Sequence, residues 1–283
     1  MQCPHCKSYN TILYGKRKDR VQRYKCNDCG KQFCERTGTF MYKHRFPEVV
    51  IKIAILLNLF ISSKVVELLM FIIFRARVSN KTVCEWTRKF LDLLPETYQK
   101  HYSKKLFLIC HSDEKFIKVK GSKDDFAYWW SVIDCFGNLI ATIITEKRDS
   151  ESAKKLFKKV KESTNKKVDM LVRDGLLAYI KAGKIFGRQC KQVVAGIKGK
   201  FIMHNKKLLW ITNNPSESLN ARIDYFMKRF HDCFEDIQSA NRWRKAFMFT
   251  TYLQKCFATQ KYLEASPAGK NPLDCVGLPA LRV

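Results

Sequence analysis

The pattern of apolar and polar positions changes character about a third of the way along the chain. Over residues 47–100, apolar side chains recur every three or four positions, the spacing of helices that pack along one face. Pro47 is suited to open a first helix that continues to about Ile61, and Ser62-Ser63 is suited to cap a second that runs from Lys64 to Phe74. These residues predict two short apolar helices.

A third helix is predicted after Ser79, a natural N-cap residue. Val83, Trp86 and Phe90 are spaced by three and four positions and form one apolar stripe. The other faces carry polar side chains: Lys81, Thr82, Glu85, Arg88 and Lys89. A series of short helices, the last of which has a polar N-terminus, is typical of a helix-turn-helix. In that motif the last helix enters the major groove of DNA. A plain helical linker is the alternative.

Beyond residue 104, short apolar runs predict strands. The predicted strands lie at 106–110, 127–133, 139–145 and 168–172, and the predicted helices at 150–163 and 176–186. Three antiparallel strands followed by a helix, a parallel strand and a second helix form the order in which an RNase H-like sheet begins. The sequence therefore predicts an α/β fold, an RNase H-like mixed sheet flanked by helices.

Composition indicates the kind of partner. The chain has 283 residues, and its 53 lysines and arginines exceed its 26 acids to give a formal net charge of +27. Such an excess is too large for an ordinary metabolic enzyme and points to nucleic acid or an anionic membrane. The most apolar stretch, 49–74, is interrupted by polar residues, and the N-terminus has no apolar signal region. We therefore expect no membrane association, a cytoplasmic setting and reduced cysteines.

Four cysteines near the N-terminus have the spacing of a zinc site. Two CxxC pairs are separated by 19 residues: Cys3 and Cys6, then Cys26 and Cys29. This spacing lets four thiolates surround one tetrahedral ion, and Gly30 permits the left-handed backbone that such a turn often needs. We expect a structural Zn²⁺ here, with His5 and Cys34 outside the site because four sulfurs already close it. Coincidental or redox-active cysteines are the alternative.

The predicted zinc ribbon is strongly basic. Residues 1–46 hold eleven lysines and arginines against three acids. We expect the basic residues between the two CxxC pairs to clamp a DNA backbone: Lys16, Arg17, Lys18, Arg20 and Arg23. A solvated ribbon surface without a partner is the alternative.

Acids are scarce in the α/β part, so their positions are informative. Asp113 follows the first predicted strand and Asp174 ends the fourth, and sites in open α/β sheets gather at strand ends. Glu217 lies in the first turn of a helix for which Asn214 is the expected N-cap and Pro215 the first residue, and it faces away from the apolar stripe of that helix. Three converging carboxylates would hold a pair of hard divalent cations.

Each of these acids also has a purely structural interpretation. Asp113 and Asp174 could be turn residues, and Glu217 could cap its own helix. Glu114 is expected to point to the opposite face of the sheet from Asp113. Asp224 shares the face of Glu217 two turns further on and is the fallback for the third acid.

Three segments resemble the catalytic blocks of DDE transposases: His111–Gly121, Val172–Tyr179 and Asn213–Ile223. The nearest group is the insertion-sequence-six family, in a form that carries an N-terminal zinc ribbon. The supporting stretches are Tyr128–Asn138 and Lys147–Phe157. The resemblance covers residues 105–258 well and the helical part more loosely.

The 42 residues between the second and third acids exceed the compact spacing of the family. The excess falls in a basic segment, 196–210, that is a candidate DNA-contacting loop.

The resemblance implies a transposase that cleaves an insertion sequence at its terminal inverted repeats and joins it to target DNA. Asp113, Asp174 and Glu217 would hold two Mg²⁺ or Mn²⁺ ions, one to activate water and later a 3′-hydroxyl, the other to stabilise the leaving 3′ oxygen. Basic side chains around the cleft would bind phosphates: Lys115, Lys118, Lys120, Arg222, Lys228 and Arg229. The implied partners are double-stranded DNA and further copies of the chain, a homodimer or larger oligomer, in a prokaryotic, nucleoid-associated setting.

The expected organisation has four parts: a zinc ribbon (1–46), a helix-turn-helix segment (47–103), an RNase H-like catalytic domain (104–264) and a C-terminal tail (265–283). Trp243, on a late helix, is expected in the core rather than stacked on a base.

Two competing functions are a catalytically decayed transposase that acts as a DNA-binding regulator, and a nuclease of the same fold that cleaves but does not join.

Overall fold

The computed structural model describes residues 1–17, 21–42, 44–94, 96, 109–135, 137–164, 168–196, 198–204 and 207–258. The described chain falls into two compact units, one formed by residues 1–93 and one that begins at Leu94. The predictions for Lys18, Arg20 and the C-terminal tail lie outside the described residues.

The first unit opens with a three-stranded antiparallel sheet. Its strands are β1 (Thr11–Lys16), β2 (Gln22–Cys26) and β3 (Gln32–Cys34), in that order across the sheet. The core is very small: Phe33 stacks on Tyr24 beside the buried Cys3 and Cys26. So few buried side chains cannot fold a ribbon of this size on their own, which is the usual reason for a structural metal.

Three helices complete the first unit: α1 (Glu48–Asn58), α2 (Ser63–Phe74) and α3 (Asn80–Leu93). Ser62 Oγ accepts a hydrogen bond from the backbone of Val65, and Ser79 Oγ accepts one from Thr82, so both predicted caps are confirmed. The predicted stripe of α3 is buried. Helix α1 ends at Asn58, earlier than predicted, where the Asn58 side chain is buried and donates to Thr87 Oγ1. Among the helices described, none has the length and apolar character to cross a bilayer.

A six-stranded mixed sheet forms the centre of the second unit. Its strands are β4 (Ile109–Val119), β5 (Phe126–Asp134), β6 (Leu139–Thr145), β7 (Met170–Arg173), β8 (Lys191–Val194) and β11 (Cys233–Phe234). The order is β6-β5-β4-β7-β8; β4, β5 and β6 are antiparallel, whereas β7 and β8 run parallel to β4. Strand β11 pairs in parallel with the far end of β4. This arrangement confirms the predicted RNase H-like fold.

Helices cover both faces of this sheet. They are α4 (Ser150–Thr164), α5 (Leu177–Ala182), α6 (Asn214–Met227) and α7 (Ile237–Ala258). The two neighbouring tryptophans of β5 point to opposite faces: Trp130 packs on Tyr179 of α5, and Trp129 packs on Phe226 of α6 and Phe247 of α7. Burial on both faces explains why β5 is apolar without alternation.

Three features differ from the sequence-based expectation. Strand β4 does not stop at residue 110 but continues to Val119, because β5 remains paired with it from Asp134 to Phe126. The expected loop at 196–210 is largely a β-hairpin, β9 (Lys200–His204) and β10 (Lys207–Ile211). The N-cap of α6 is Asn213, one residue before the expected position.

Candidate functional site

The four N-terminal cysteines converge. Their sulfur atoms all lie within 4.8 Å of one another. Cys3 Sγ is 3.7 Å from Cys29 Sγ, and Cys6 Sγ is 3.5 Å from Cys26 Sγ. A tetrahedral zinc ion with Zn–S bonds of about 2.3 Å requires sulfur separations of about 3.8 Å, so the set fits zinc. Gly30 has the expected left-handed backbone, with φ of +69°.

Asp113 and Asp174 are brought together by strand register. Ser112 on β4 pairs with Arg173 on the parallel β7, so the next residues on the two strands are Asp113 and Asp174. Strand β7 ends there, and Asp174 Oδ1 accepts a hydrogen bond from the backbone N–H of Leu176, which starts the turn into α5. Asp113, in contrast, lies within β4 opposite Ser131, not beyond the end of a strand as expected from the sequence.

A third carboxylate in this cluster is Glu114. Oxygen atoms of Asp113, Glu114 and Asp174 lie within 4.8 Å of one another. The side-chain partners of Glu114 are Arg148, on the segment before α4, and the Tyr179 hydroxyl, which donates at 2.6 Å. These partners lie on the α4–α5 side of the sheet, so Glu114 does face away from Asp113 as expected. Its carboxylate nevertheless comes close to those of Asp113 and Asp174 where β7 ends.

The contacts of Glu114 differ from those of a free metal ligand. Its side chain is 2% exposed, and both carboxylate oxygens accept hydrogen bonds, one from Arg148 and one from Tyr179. The pKa of Glu114 is raised overall, because burial raises it by more than these two partners lower it. The charge of Glu114 is therefore compensated within the protein.

Helix α6 presents Glu217 to the Asp113 side of the sheet. Two contacts fix the helix along β4: Asn220 Nδ2 donates to Asp113 Oδ2 at 2.9 Å, and Lys115 pairs with Asp224 at 2.9 Å. Glu217 is exposed, one turn before Asn220. It is not a member of the close group of three carboxylates, but its charge contributes to the raised pKa of Asp113. The fallback acid, Asp224, is held by its ion pair.

The Asp113 carboxyl is electrostatically strained. Burial, which has the largest effect, and the negative charges of Glu114, Asp174 and Glu217 together raise its pKa to about 7, against the opposing hydrogen bond from the Glu114 backbone N–H. A half-buried carboxylate among three other acids is a setting in which a bound cation would relieve repulsion.

The residues expected to contact DNA fall into two groups. Lys16, Lys81, Arg88 and Lys228 are exposed. The others are partly packed: Arg17, Arg23, Arg222 and Arg229. Arg23 lies 5.3 Å from the Tyr14 ring centre, Arg222 donates to Thr251 Oγ1 at 3.0 Å, and Arg229 lies 5.6 Å from the ring centre of Trp243. Trp243 packs in an aromatic cluster with Phe226 and Phe230 but is only partly buried.

Sequence reasoning missed the groups that hold the acids in place. Arg148, Tyr179 and Asn220 were not singled out, although each lies inside a segment that carries the family resemblance. Asn220 carried a usable signal, because it follows Glu217 by three residues and therefore shares its helix face. The contacts of Arg148 and Tyr179 join residues 34 and 65 positions apart from Glu114 and left no local pattern.

Comparison with known proteins gives one family match. A family model described as a DDE domain, of the IS240 transposase type, matches residues 108–255, which is just over half of the chain. No curated protein matches. Among solved structures, the intasome of simian T-cell lymphotropic virus in complex with the PP2A regulatory subunit B56γ is similar at 11% identity and a TM-score of 0.35. That similarity covers 70% of this chain, and this chain spans 66% of the length of that one.

DDE-domain proteins are the class that combines an RNase H-like sheet with such acids. Here two lie side by side on β4 and at the end of β7, and a further one lies on α6. The chain belongs to the DDE transposase family of the IS240 type, which is the insertion-sequence-six family.

Proposed function

We propose that this protein cleaves an insertion sequence at its terminal inverted repeats and joins the freed 3′ ends to target DNA. The observation that carries the proposal is that Asp113 and Asp174 lie side by side where β7 ends next to β4, with Glu217 on the adjacent helix. Divalent-cation catalysis of phosphoryl transfer needs such a group of carboxylates beside an open surface.

The acid site fits Mg²⁺ or Mn²⁺. The ligands we assign are Asp113, Asp174 and Glu217, since the Glu114 carboxylate already forms an ion pair with Arg148 and accepts a hydrogen bond from Tyr179. Oxygen ligands are those that hard divalent cations prefer, and the unbalanced charge around Asp113 supports cation binding. When bound, two such ions would supply Lewis-acid activation of the attacking water or 3′-hydroxyl and stabilisation of the leaving 3′ oxygen.

The protein's own groups would orient these ligands. Asn220 donates to one oxygen of Asp113, which leaves the other oxygen directed by the Glu114 backbone N–H. Arg148 and Tyr179 hold Glu114, so that the residue following Asp113 on β4 is anchored in the core. Asp113 is thereby fixed from both faces of the sheet, the rigidity that a phosphoryl-transfer site requires.

The first unit would bind the element ends. Four cysteines would hold a structural Zn²⁺, and the exposed Lys16, Lys81 and Arg88 would contact phosphates. In this proposal residues 1–46 and 47–103 are the DNA-recognition part and residues 104–264 the catalytic part, and the protein acts as a homodimer or larger oligomer that holds two ends together.

The test is a strand-transfer assay with Mg²⁺ or Mn²⁺ and DNA that carries the inverted repeats flanking the gene. Asp113→Asn, Asp174→Asn and Glu217→Gln should each lower joining by about 10³-fold or more while DNA affinity stays within about twofold. Asp224→Asn is the matched control, because Asp224 lies on the same helix but is paired with Lys115, and it should retain joining within a few fold.

The variants also separate the alternatives. If Asp113→Asn or Asp174→Asn leaves joining intact, the catalytic assignment is wrong. If Glu217→Gln remains active and a folded Glu114→Gln variant does not, the third ligand is Glu114. DNA binding without cleavage in either metal supports the regulator, and cleavage without joining supports the nuclease.

A further inference from the structure

The hairpin β9–β10 has one buried and one exposed face. Its inner side chains are Ile202, Leu209 and Ile211. They pack against a cluster on one face of the sheet, formed by Met170 and Val172 of β7, Val193 of β8 and the following Ala195. The outer face carries four large apolar side chains that are 53–64% exposed: Phe201, Met203, Leu208 and Trp210. Four such residues side by side form a surface of the kind that usually has a binding partner.

Two aromatic rings on the outer face are held in fixed positions. Phe201 and Trp210 are cross-strand partners, and their ring centroids are 4.7 Å apart in an edge-to-face arrangement. The indole of Trp210 also lies over Gly199, where a Cβ would come within 2.7 Å of the ring and where φ is +68°. Glycine is required there on both counts. Trp210 is therefore pre-positioned while half of its surface faces solvent.

The surroundings of the hairpin are entirely basic. The 42 residues between Asp174 and Glu217 contain no acid and eight lysines and arginines. Lys198 and Lys200, at the base of the hairpin, are exposed. A second apolar protein surface would fit the four outer side chains but not this one-sided charge. Exposed aromatic rings within a basic surface are the chemistry that binds unpaired nucleic-acid bases.

The hairpin lies next to the acid site. Its inner face also packs on Ile109 of β4. Ile109 and Asp113 are four residues apart on this strand, so their side chains point to the same face of the sheet, and the hairpin and α6 therefore cover the same face. The backbone N–H of Asn213 donates to Gly196 C=O and closes the base of the hairpin immediately before α6. Only three residues lie between Trp210 and the start of α6 at Asn214, a reach of at most about 14 Å of extended chain.

We infer that the outer face of β9–β10 binds an unpaired nucleobase of DNA, which stacks on Trp210 while Lys198 contacts an adjacent phosphate. Stacking on an indole accepts any base, because every base has a π face, so the contact favours unpaired over duplex DNA without reading sequence. The inference rests on the proposed function in taking DNA as the ligand, and it adds a site for a strand that is unpaired near the cleaved phosphodiester.

Intrinsic fluorescence is a direct probe of this contact. Of the five tryptophans, Trp86, Trp129 and Trp130 are buried and Trp243 lies in the aromatic cluster, whereas Trp210 is 53% exposed. A short single-stranded oligonucleotide should therefore quench the full-length protein's fluorescence through Trp210. A flush-ended duplex of the same length should quench it much less.

Two substitutions at Trp210 separate stacking from folding. Trp210→Ala should lower affinity for the single strand about tenfold, while Trp210→Phe, which keeps a π face, should retain affinity within about threefold and lose the quenching. Tyr225→Ala is the matched control, since Tyr225 is an aromatic residue 77% exposed outside the hairpin, and it should change affinity by less than about twofold. Circular dichroism checks that each variant is folded.

Three results would overturn the inference: unchanged single-strand affinity in Trp210→Ala, an equal loss in Tyr225→Ala, or a shift from oligomer to monomer in Trp210→Ala with DNA affinity retained, which would make the face a contact between copies. The outcome is independent of catalysis, because binding is measured without metal. Loss of joining in Asp113→Asn with no stacking defect in Trp210→Ala would refute the hairpin site alone. Active Asp113→Asn with the stacking defect would refute the catalytic assignment alone.

Discussion

Asp113 illustrates how one residue can be placed by its neighbours at a cost in stability. Glu114, Asp174 and Glu217 all raise its pKa, and Asn220 donates the one side-chain hydrogen bond that the structure gives it. In the described chain, no lysine or arginine pairs with Asp113. A carboxyl whose pKa is about 7 in the folded protein, against an ordinary value of 3.8, destabilises the fold increasingly as the pH rises from 3.8 to about 7, and by a constant amount above that.

Asp113→Asn should therefore stabilise the metal-free protein. We expect the Tm to rise by about 3–6 °C at pH 8 and by less at pH 5, because the wild-type carboxyl loses its proton in the folded state only as the pH rises through about 7. Millimolar Mg²⁺ should raise the Tm of the wild type but not of the variant. Differential scanning calorimetry of the second unit's transition measures both effects.

The control for this experiment is Asp224→Asn, which removes a paired carboxylate and should not raise the Tm. A Tm for Asp113→Asn at or below that of the wild type would mean that the acids do not repel one another in solution.

Glu96 has the opposite electrostatic setting. Burial alone would raise its pKa, but Arg244, which is buried, and Lys159 lower it to about 2. Glu96→Gln should lower the free energy of unfolding by about 1–2 kcal/mol at pH 7, less than the loss for a fully buried pair because solvent partly screens Glu96.

The pH dependence of this loss has a defined direction. A depressed folded pKa gives stability that is complete above the ordinary value of 4.5 and disappears as the pH falls toward 2, so wild type and Glu96→Gln should converge over that range. Urea unfolding at pH 7 and pH 3 measures the difference. Glu151→Gln, at an exposed pair with Lys154, should have almost no effect at either pH; a gap as large at pH 3 as at pH 7 would contradict the assigned cause.

At the scale of elements, the ribbon and the second unit obtain their stability from different sources. The three-stranded sheet of the ribbon has a minimal core, of which Phe33 and Tyr24 are the aromatic part, and four cysteines bridge its two ends. The six-stranded sheet has aromatic and aliphatic packing on both faces. Metal binding should therefore decide the folding of the ribbon alone.

Cys26→Ser should unfold the ribbon while leaving the second unit folded. Three remaining sulfurs cannot complete a tetrahedral thiolate site, and the free energy of zinc binding would be lost. The expected result is loss of stoichiometric zinc, measured by atomic absorption, with at least about tenfold weaker binding to element-end DNA. Cys34→Ser is the matched control because Cys34 lies outside the group of four sulfurs; unchanged end binding in Cys26→Ser would argue against the DNA clamp.

At the scale of the whole molecule, charge is the dominant property. A formal net charge of +27 makes long-range attraction to a polyanion unavoidable at low salt. Much of this charge lies in exposed lysine and arginine side chains, including Lys16, Lys81, Arg88 and Lys228. Each phosphate contact releases counterions, so the number of contacts can be read from the salt dependence.

We expect the logarithm of the duplex-DNA association constant to fall with the logarithm of salt concentration with a slope of about −5 or steeper. Fluorescence anisotropy across a salt series measures it. Lys81→Ala combined with Arg88→Ala should reduce the slope by about 2, whereas Asp113→Asn should leave it unchanged. A wild-type slope near −1 would show that most of this charge is not at the DNA interface.

The sequence by itself determined much of this protein's organisation. The cysteine spacing, the caps at Ser62 and Ser79 and the apolar stripes depend on residues a few positions apart, so they can be read locally. The same holds for Asp174, which the sequence places at the end of a short apolar strand. The DDE family followed from segments whose order along the chain is itself the signal.

Only the tertiary structure decided which groups meet. The full length of β4 depends on pairing with β5, and that pairing places Asp113 inside a strand. Glu114 reaches the acid cluster through contacts with Arg148 and Tyr179, far away along the chain, and α6 is positioned by Asn220 and by the Lys115–Asp224 pair. The segment expected as a loop is a hairpin because its inner residues pack on an apolar part of one sheet face, formed by β7 and β8. Long-range pairing leaves no local period in a sequence, and that is why these features became visible only in three dimensions.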